Sequence, residues 1–518
     1  MPHSEQELPE SIRRLLLNLG HEREPPRNRR IFTNRDLAFE QVPVVGFDMD
    51  YTLARYRQDR LEALSLEATV NKLIAIGWPE QLREVEPDPE FAIRGLVVDT
   101  ALGNVLKMDR HGYVGRVYHG RTGLDRPQRK QLYRAQRVGQ ERSRFSYVDT
   151  LFSLPEVTLY AAVVDLIDQK PELWTAGAPD YAEAWAQVRK AIDQAHQDDS
   201  IKSRIKADVG AYFDRDPDLG PALHKLRSAG KKLFLLTNSF FPYTHAVMSH
   251  ILGGHEDEAY EDWRGYFDWM IVGSRKPGFF TDGEPFLEVD FATGKIIGKP
   301  QAEPKKGRIY QGGNQLGLQK AMGCQPDEVI YVGDHIYGDI VRSKKTSGWR
   351  TMLIVEELER ELRVRADYHT ALDEILSLSE LWERLSEEVS DQRYLQRGLK
   401  LIDAEAVAEE TQDSERPLST HEAEALLTKT RQQAKARLER LRDHEDSVAE
   451  AVKRRSAEVD RAFNRYWGSI FAERYDSSFF GAQLEAYACL YTSRVSNLMF
   501  VSPNRYFRAP HGAMPHWS

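Results

Sequence analysis

Five short apolar runs, four of them ending at a residue that can do chemistry, constrain this chain more than any other feature. They are 42–48, 233–239, 269–274, 329–334 and 349–355. The first ends at Asp48, the second at Thr237-Asn238-Ser239, the third at Ser274 just ahead of Lys276, and the fourth at Asp334; the fifth has no such terminus. Continuous apolar runs of this length suit strands buried on both faces, as in a parallel sheet covered by helices. In open α/β sheets ligands sit beyond the carboxyl ends of the strands. An α/β core is therefore expected, with its reactive residues gathered along one edge.

The interval 56–229 is too long for one crossover. Helical stretches at 61–76, 154–169 and 181–196 make it a separate cap over that edge. Residues 278–313 are rich in Gly and Pro and carry Asp282-Gly283 and Thr293-Gly294 turns, so they read as a hairpin excursion from the sheet. From about 405 to 466 the chain is highly charged. Leu427, Ala434, Leu438, Leu441, Val448, Val452, Val459 and Ala462 fit alternating three- and four-residue steps, broken by Arg431, Glu445 and Arg455. Such a stripe serves either a long helix packed on its own domain or a coiled-coil-like arm for self-association. The second reading points to a homo-oligomer, a dimer or tetramer.

Composition removes other classes. The 518 residues carry a formal net charge of −9, which gives no reason to expect nucleic-acid binding. Two cysteines, Cys324 and Cys489, exclude a disulfide framework and suit a reducing cytosol. The opening Met1-Pro2-His3-Ser4-Glu5-Gln6-Glu7 lacks the basic-then-apolar pattern of a signal peptide, and no apolar stretch is long enough to span a bilayer. A cytoplasmic, soluble protein without membrane partners is expected.

Asp48 and Asp50 lie two apart beyond an apolar run, so in extended chain they point the same way. Two crowded carboxylates repel unless a cation or proton intervenes. The pairing suits a reaction in which one acid attacks phosphorus and the other shuttles a proton. Thr237, Asn238 and Ser239 offer hydroxyls and an amide for phosphoryl oxygens, and Lys276 can neutralise charge on the transferring group. In the run Gly333-Asp334-His335-Ile336-Tyr337-Gly338-Asp339, Asp334 is placed for a hard cation and Asp339 for support from behind. Mg²⁺ favours few carboxylates, waters and a substrate phosphate, which suits this set.

That ordered set resembles the haloacid dehalogenase superfamily. The resemblance implies a Rossmann-like parallel core with a large, mainly helical cap and a C-terminal helical extension. It also implies Asp48 as nucleophile, Asp50 as general acid and base, Thr237 and Lys276 as phosphate ligands, and Mg²⁺ held by Asp48, Asp334 and the main-chain carbonyl of Asp50. More closely, 46–53, 333–340 and 343–351, with 32–38, 150–156 and 506–516, are similar to the cytosolic purine 5′-nucleotidases, which prefer IMP and GMP. Discontinuous domains follow: a core of 1–55 and 229–400, a cap of 56–228 and a helical region of 401–518.

The resemblance also carries Arg189, Asp193, His196 and Lys202 over as purine ligands. Independently, the first three are four and three residues apart, on one helical face. A 6-oxopurine accepts at its oxygen and N7 and donates from N1. Lys202 or Arg189 can meet the oxygen, His196 N7 and Asp193 N1, an arrangement that rejects AMP. The sequence departs from the family at Asp149 and Ser153, where it usually has Asn, and at Gly139, where it has Arg. An acid at Asp149 would repel phosphate unless Arg142, Arg144 or the metal compensates. The expected activity is a Mg²⁺-dependent purine 5′-nucleotidase with an aspartyl-phosphate intermediate, able also to transfer phosphate to a nucleoside. The competing readings are a phosphatase for another ester and a non-catalytic scaffold using the helical arm.

Overall fold

The computed structural model describes residues 25–134, 138, 143–175, 177–253, 260–336, 339, 347–414, 416–474 and 476–510. It divides into two compact units, residues 1–362 with 469–518 and residues 363–468.

The first unit is built on a nine-stranded sheet. Its strands are β1 (Phe32–Thr33), β2 (Val44–Phe47), β3 (Lys232–Leu236), β4 (Trp269–Val272), β5 (Phe286–Val289), β6 (Ile309–Gly312), β7 (Val329–Gly333), β8 (Arg350–Ile354) and β9 (Leu490–Thr492). The spatial order is β1-β9-β8-β7-β2-β3-β4-β6-β5. Seven neighbours from β9 to β6 run parallel, and the two edge strands are antiparallel. All five expected strands are present and contiguous. Gly46 shows why the centre packs as it does. A Cβ there would lie 2.0 Å from the Phe234 ring, so only glycine lets that ring lie against β2. Phe234 then stacks on Tyr331, with ring centroids 6.2 Å apart, and meets Trp349 edge-on.

Register aligns the strand ends. Phe47 is level with Leu235 on β3 and Val332 on β7, so Asp48, Thr237 and Asp334 all emerge within two residues of one line. Two segments differ from expectation. The Gly/Pro-rich 278–313 is no excursion: it supplies the edge strand β5 and its neighbour β6. The C-terminal 401–518 is not helical throughout, because β9 pairs with β8 in the main sheet.

Between β2 and β3 lie α1 (Gln58–Ala75), α2 (Leu154–Gln169) and α3 (Tyr181–Gln197), close to the expected helices. This interval also holds a five-stranded antiparallel sheet that sequence patterning did not anticipate, from Val97–Asp99, Asn104–Met108, Val114–His119, Thr122–Gly123 and Phe145–Tyr147. Its alternation is masked by Lys107, a buried lysine in mid-strand. Lys107 donates to Ser469 O and Ala472 O and lies 3.3 Å from buried Glu473. After β3, α4 (Phe241–Leu252) returns along the sheet.

The second unit pairs α5 (His369–Leu401) with α6 (Thr420–Phe463). Ala371 near the start of α5 clusters with Val459 and Phe463 at the end of α6, so the two run antiparallel. The apolar stripe is thus covered within its own unit: Leu427, Ala434, Leu438, Val452 and Val459 are buried. Two of its interruptions have structural roles. Arg431 donates to Leu399 O and Ile402 O, capping the end of α5, and Arg455 pairs with Glu374. Among the described residues no helix is long and apolar enough to cross a membrane.

Candidate active site

Beyond the ends of β2, β3, β4 and β7, a group of charged side chains closes on itself. Lys276 Nζ lies 2.9 Å from Asp48 Oδ1, 2.7 Å from Asp339 Oδ1 and 2.9 Å from the Tyr331 hydroxyl. Asp48 also accepts from Met49 N at 2.7 Å, which fixes its carboxylate against the turn after β2. Tyr331 passes its own hydrogen to Leu236 O. One oxygen each from Asp48, Asp334 and Asp339 lie within 4.8 Å of one another, and all three residues are buried. Gly333 permits this: a Cβ there would sit 2.6 Å from Asp339 Oδ2.

The charges explain the titration. Burial, opposed by Lys276, pushes Asp48 well above the usual carboxylate range. Burial and then Asp339 push Asp334 up to about 7. Burial disfavours the Lys276 ammonium, but Asp339 and Asp48 outweigh it and raise its pKa. Were all three carboxylates ionised against one ammonium, the low-dielectric site would hold an excess of two negative charges, and the raised pKa values of Asp48 and Asp334 reflect that cost. Asp334 Oδ2 is buried without a hydrogen-bond partner. A divalent cation fits both observations, and oxygen donors suit Mg²⁺.

Asp50 stands beside this group with both oxygens engaged. Ser239 Oγ donates to Oδ2 at 2.9 Å and the Tyr56 hydroxyl to Oδ1 at 2.7 Å. The Ser239 hydroxyl hydrogen is thus directed to Asp50. Asn238 is likewise committed: it donates to Lys276 O and accepts from Ser274 Oγ and Lys276 N, holding the lysine loop to the end of β3. Thr237 is fully buried, with its Oγ1 accepting from Ser239 N.

The cap residues form a looser group. Arg189 reaches Glu156 of α2 at 3.2 Å and lies over the Trp185 ring. Burial pushes Glu156 up to about 7, with Arg189 opposing. His196 meets Phe152 edge-on, and burial followed by Lys202 lowers its pKa. Lys202 Nζ stands 5.2 Å from the centre of the Tyr243 ring. Asp193 is exposed one turn from His196. Phe152 also packs on Tyr51 and Tyr56, so this aromatic group joins α3 to the surroundings of Asp50.

Asp149 is not left to repel an anion by itself. Its Oδ2 lies 3.1 Å from Nε2 of His335. Burial disfavours the imidazolium, but the Asp149 contact outweighs it and raises the His335 pKa. Arg144, one of the expected compensators, instead makes a two-pronged bond to Asp99. Gly139, Arg142, Tyr337, Gly338, Ile340, residues 343–346 and residues 511–516 lie outside the described residues.

Sequence reasoning missed Tyr56, Tyr331 and Arg94. Arg94 is wholly buried, pairs with Glu357 and donates to Asp334 O at 2.7 Å, anchoring the carboxyl end of β7. A single arginine in Phe91-Ala92-Ile93-Arg94 was the available signal, since a charge inside an apolar run is buried only with partners.

Comparison with known proteins agrees with this layout. The 5′ nucleotidase family matches residues 31–518. A 5′-nucleotidase domain-containing protein of Dictyostelium discoideum is 29% identical over 481 residues, 90% of this chain and 71% of that one. 5′-Nucleotidase domain-containing protein 2 of Rattus norvegicus is 33% identical over 348 residues, 64% of this chain, which spans only 60% of the rat protein. Among solved structures, CbbY from Rhodobacter sphaeroides in complex with phosphate is 13% identical with a TM-score of 0.24, covering 60% of this chain and 86% of that one; at that level the likeness carries no argument. With a parallel α/β core, an acidic strand-end cluster and a family match over nearly its whole length, this chain belongs to the 5′ nucleotidase family, a family of phosphoric monoester hydrolases.

Proposed function

We propose that the chain is a Mg²⁺-dependent 5′-nucleotidase that hydrolyses purine nucleoside monophosphates, IMP and GMP above AMP. The observation that carries the chemistry is the buried cluster of Asp48, Asp334 and Asp339 around Lys276, with Asp50 held alongside. Asp48, Asp334 and the Asp50 carbonyl would hold Mg²⁺, which supplies charge neutralisation for the phosphoryl group. Lys276 and Thr237 bind phosphate oxygens. An Asp48 carboxylate oxygen attacks phosphorus and the bond to the 5′ oxygen breaks, giving an aspartyl-phosphate. Asp50 gives its proton to the departing 5′ oxygen, then takes one from the water that cleaves the acyl phosphate. A nucleoside hydroxyl in place of that water would make the same site a phosphotransferase.

The purine preference rests on the cap. Arg189, Asp193, His196 and Lys202 offer donors and an acceptor in the pattern a 6-oxopurine needs, and the contact of His196 with Phe152 puts this face next to the aromatic wall around Asp50. The test is phosphate release with Mg²⁺ from IMP, GMP, AMP, UMP and glucose 6-phosphate, wild type beside Asp48→Asn. Fast release from IMP and GMP, lost in the variant, is the expected result. Release from the other esters alone would discard the purine assignment and keep the chemistry.

A further inference from the structure

Asp50 is the centre of a chain of hydroxyls that the catalytic reading does not use. The Tyr56 hydroxyl donates its hydrogen to Asp50 Oδ1 at 2.7 Å. The Tyr56 oxygen lies 2.7 Å from the Tyr243 hydroxyl, and with its own hydrogen committed it can only accept there. Tyr243 therefore donates to Tyr56 and Tyr56 to Asp50, in one direction, and such chains strengthen each member. The two tyrosines come from different elements, Tyr56 from the strand pair beside α1 and Tyr243 from the first turn of α4. Both are buried, and the Tyr56 ring is wedged among Tyr51, Phe152 and Phe213 with centroids 4.7, 5.8 and 4.3 Å away. Ser239 holds the other oxygen of Asp50.

We propose that Tyr56, backed by Tyr243, is a positioning residue for the general acid, fixing the plane of the Asp50 carboxyl so that its free lone pair faces the leaving oxygen. The inference rests on the assignment of Asp50 as acid and base. Each Asp50 oxygen has two lone pairs and spends one on Tyr56 or Ser239, so one oxygen can still carry the proton destined for substrate. Without Tyr56 the carboxyl is tethered at one oxygen only and can rotate. Proton transfer from a positioned acid contributes roughly 10²–10⁴-fold, and small misplacements cost a large part of that.

The experiment compares kcat/KM for two substrates on wild type, Tyr56→Phe, Tyr243→Phe and Asp50→Asn. One is the nucleoside monophosphate turned over fastest. The other is its 5′-bridging phosphorothiolate, in which sulfur replaces the leaving oxygen and departs as a thiolate without needing a proton. Phenylalanine keeps the packed ring and removes only the donor. Tyr56→Phe should lower kcat/KM for the oxygen ester by about tenfold or more and for the sulfur analogue by less than about twofold. Tyr243→Phe should act in the same direction and more weakly, being one bond further away. Equal losses on both substrates, or no loss on the oxygen ester, would overturn the proposal. If Asp50→Asn itself loses equally on both, the acid assignment fails, which is a separate result.

Discussion

Two groups of buried carboxylates in the first unit, at the strand ends and in the cap, are compensated differently. At the strand ends Asp48, Asp334 and Asp339 crowd around the Lys276 ammonium, an excess of two negative charges when all are ionised, which a divalent cation can balance. In the cap Glu156 has the half-exposed Arg189, while Glu62 of α1 is 1% exposed with neither oxygen hydrogen-bonded. The Thr158 hydroxyl goes to Leu154 O instead. Burial raises the carboxyls of both regions, Asp334 and Glu62 alike to about 7, so the regions differ in their partners: three acids converge on one lysine at the strand ends, whereas Glu62 has no hydrogen-bonded partner. A buried acid thus signals chemistry when other acids and a lysine converge on it, and a structural compromise when it stands without a partner.

The largest test of this contrast is Asp48→Asn, which removes the proposed nucleophile and should lower kcat by roughly four orders of magnitude or more, measured as phosphate release. Activity within tenfold of wild type would break the assignment. Next is Lys276→Met, which removes the ammonium that Asp48 and Asp339 share. Urea unfolding without metal should show a loss of about 3–5 kcal/mol, part of it restored by Mg²⁺. If the strand-end excess charge is a metal site, Mg²⁺ at 100 times its Kd should stabilise the wild type by about 2.7 kcal/mol, and Asp334→Ala should abolish that gain. Thermal unfolding with Mg²⁺ and with a chelator reads it directly.

The cap tests are smaller. Asp193→Ala should shift the ratio of kcat/KM for IMP over AMP by about tenfold, and an unchanged ratio would remove Asp193 from base recognition. Glu62 gives a pH signature. Its folded pKa of about 7 exceeds the ordinary 4.5, so the folded state binds the proton more tightly. Stability should therefore fall as pH rises from about 4.5 to about 7. Glu62→Gln should flatten that limb, gaining about 1 kcal/mol at pH 8 and nothing at pH 4. Parallel pH profiles for the two proteins would show that Glu62 is not held neutral by burial.

Legibility in the sequence followed the range of the forces. Strands β2, β3, β4, β7 and β8 and helices α1 to α3 were readable because each is set by local apolar period. The strand-end positions of Asp48, Thr237, Lys276 and Asp334 were readable because they lie where an apolar run stops. Strands β5, β6 and β9, at or next to the edges of the sheet, were not, since their place depends on distant partners: β9 joins β8 across 135 residues or more of chain. Lys107 hid a strand because its counter-charge, Glu473, lies in a segment far along the chain.

The same division holds in the site. By itself the sequence determined which residues carry reactive groups, their order, and the parallel sheet that presents them, because period and strand termination are local properties. Only the tertiary structure decided how those groups are held: Asn238 and Ser239 turned inward onto Lys276 and Asp50, Tyr56 aimed by Tyr243, Asp149 answered by His335, and Asp334 anchored by Arg94. Each of these bonds joins residues from different elements, and hydrogen-bond geometry is fixed only once packing has brought those elements within about 3 Å.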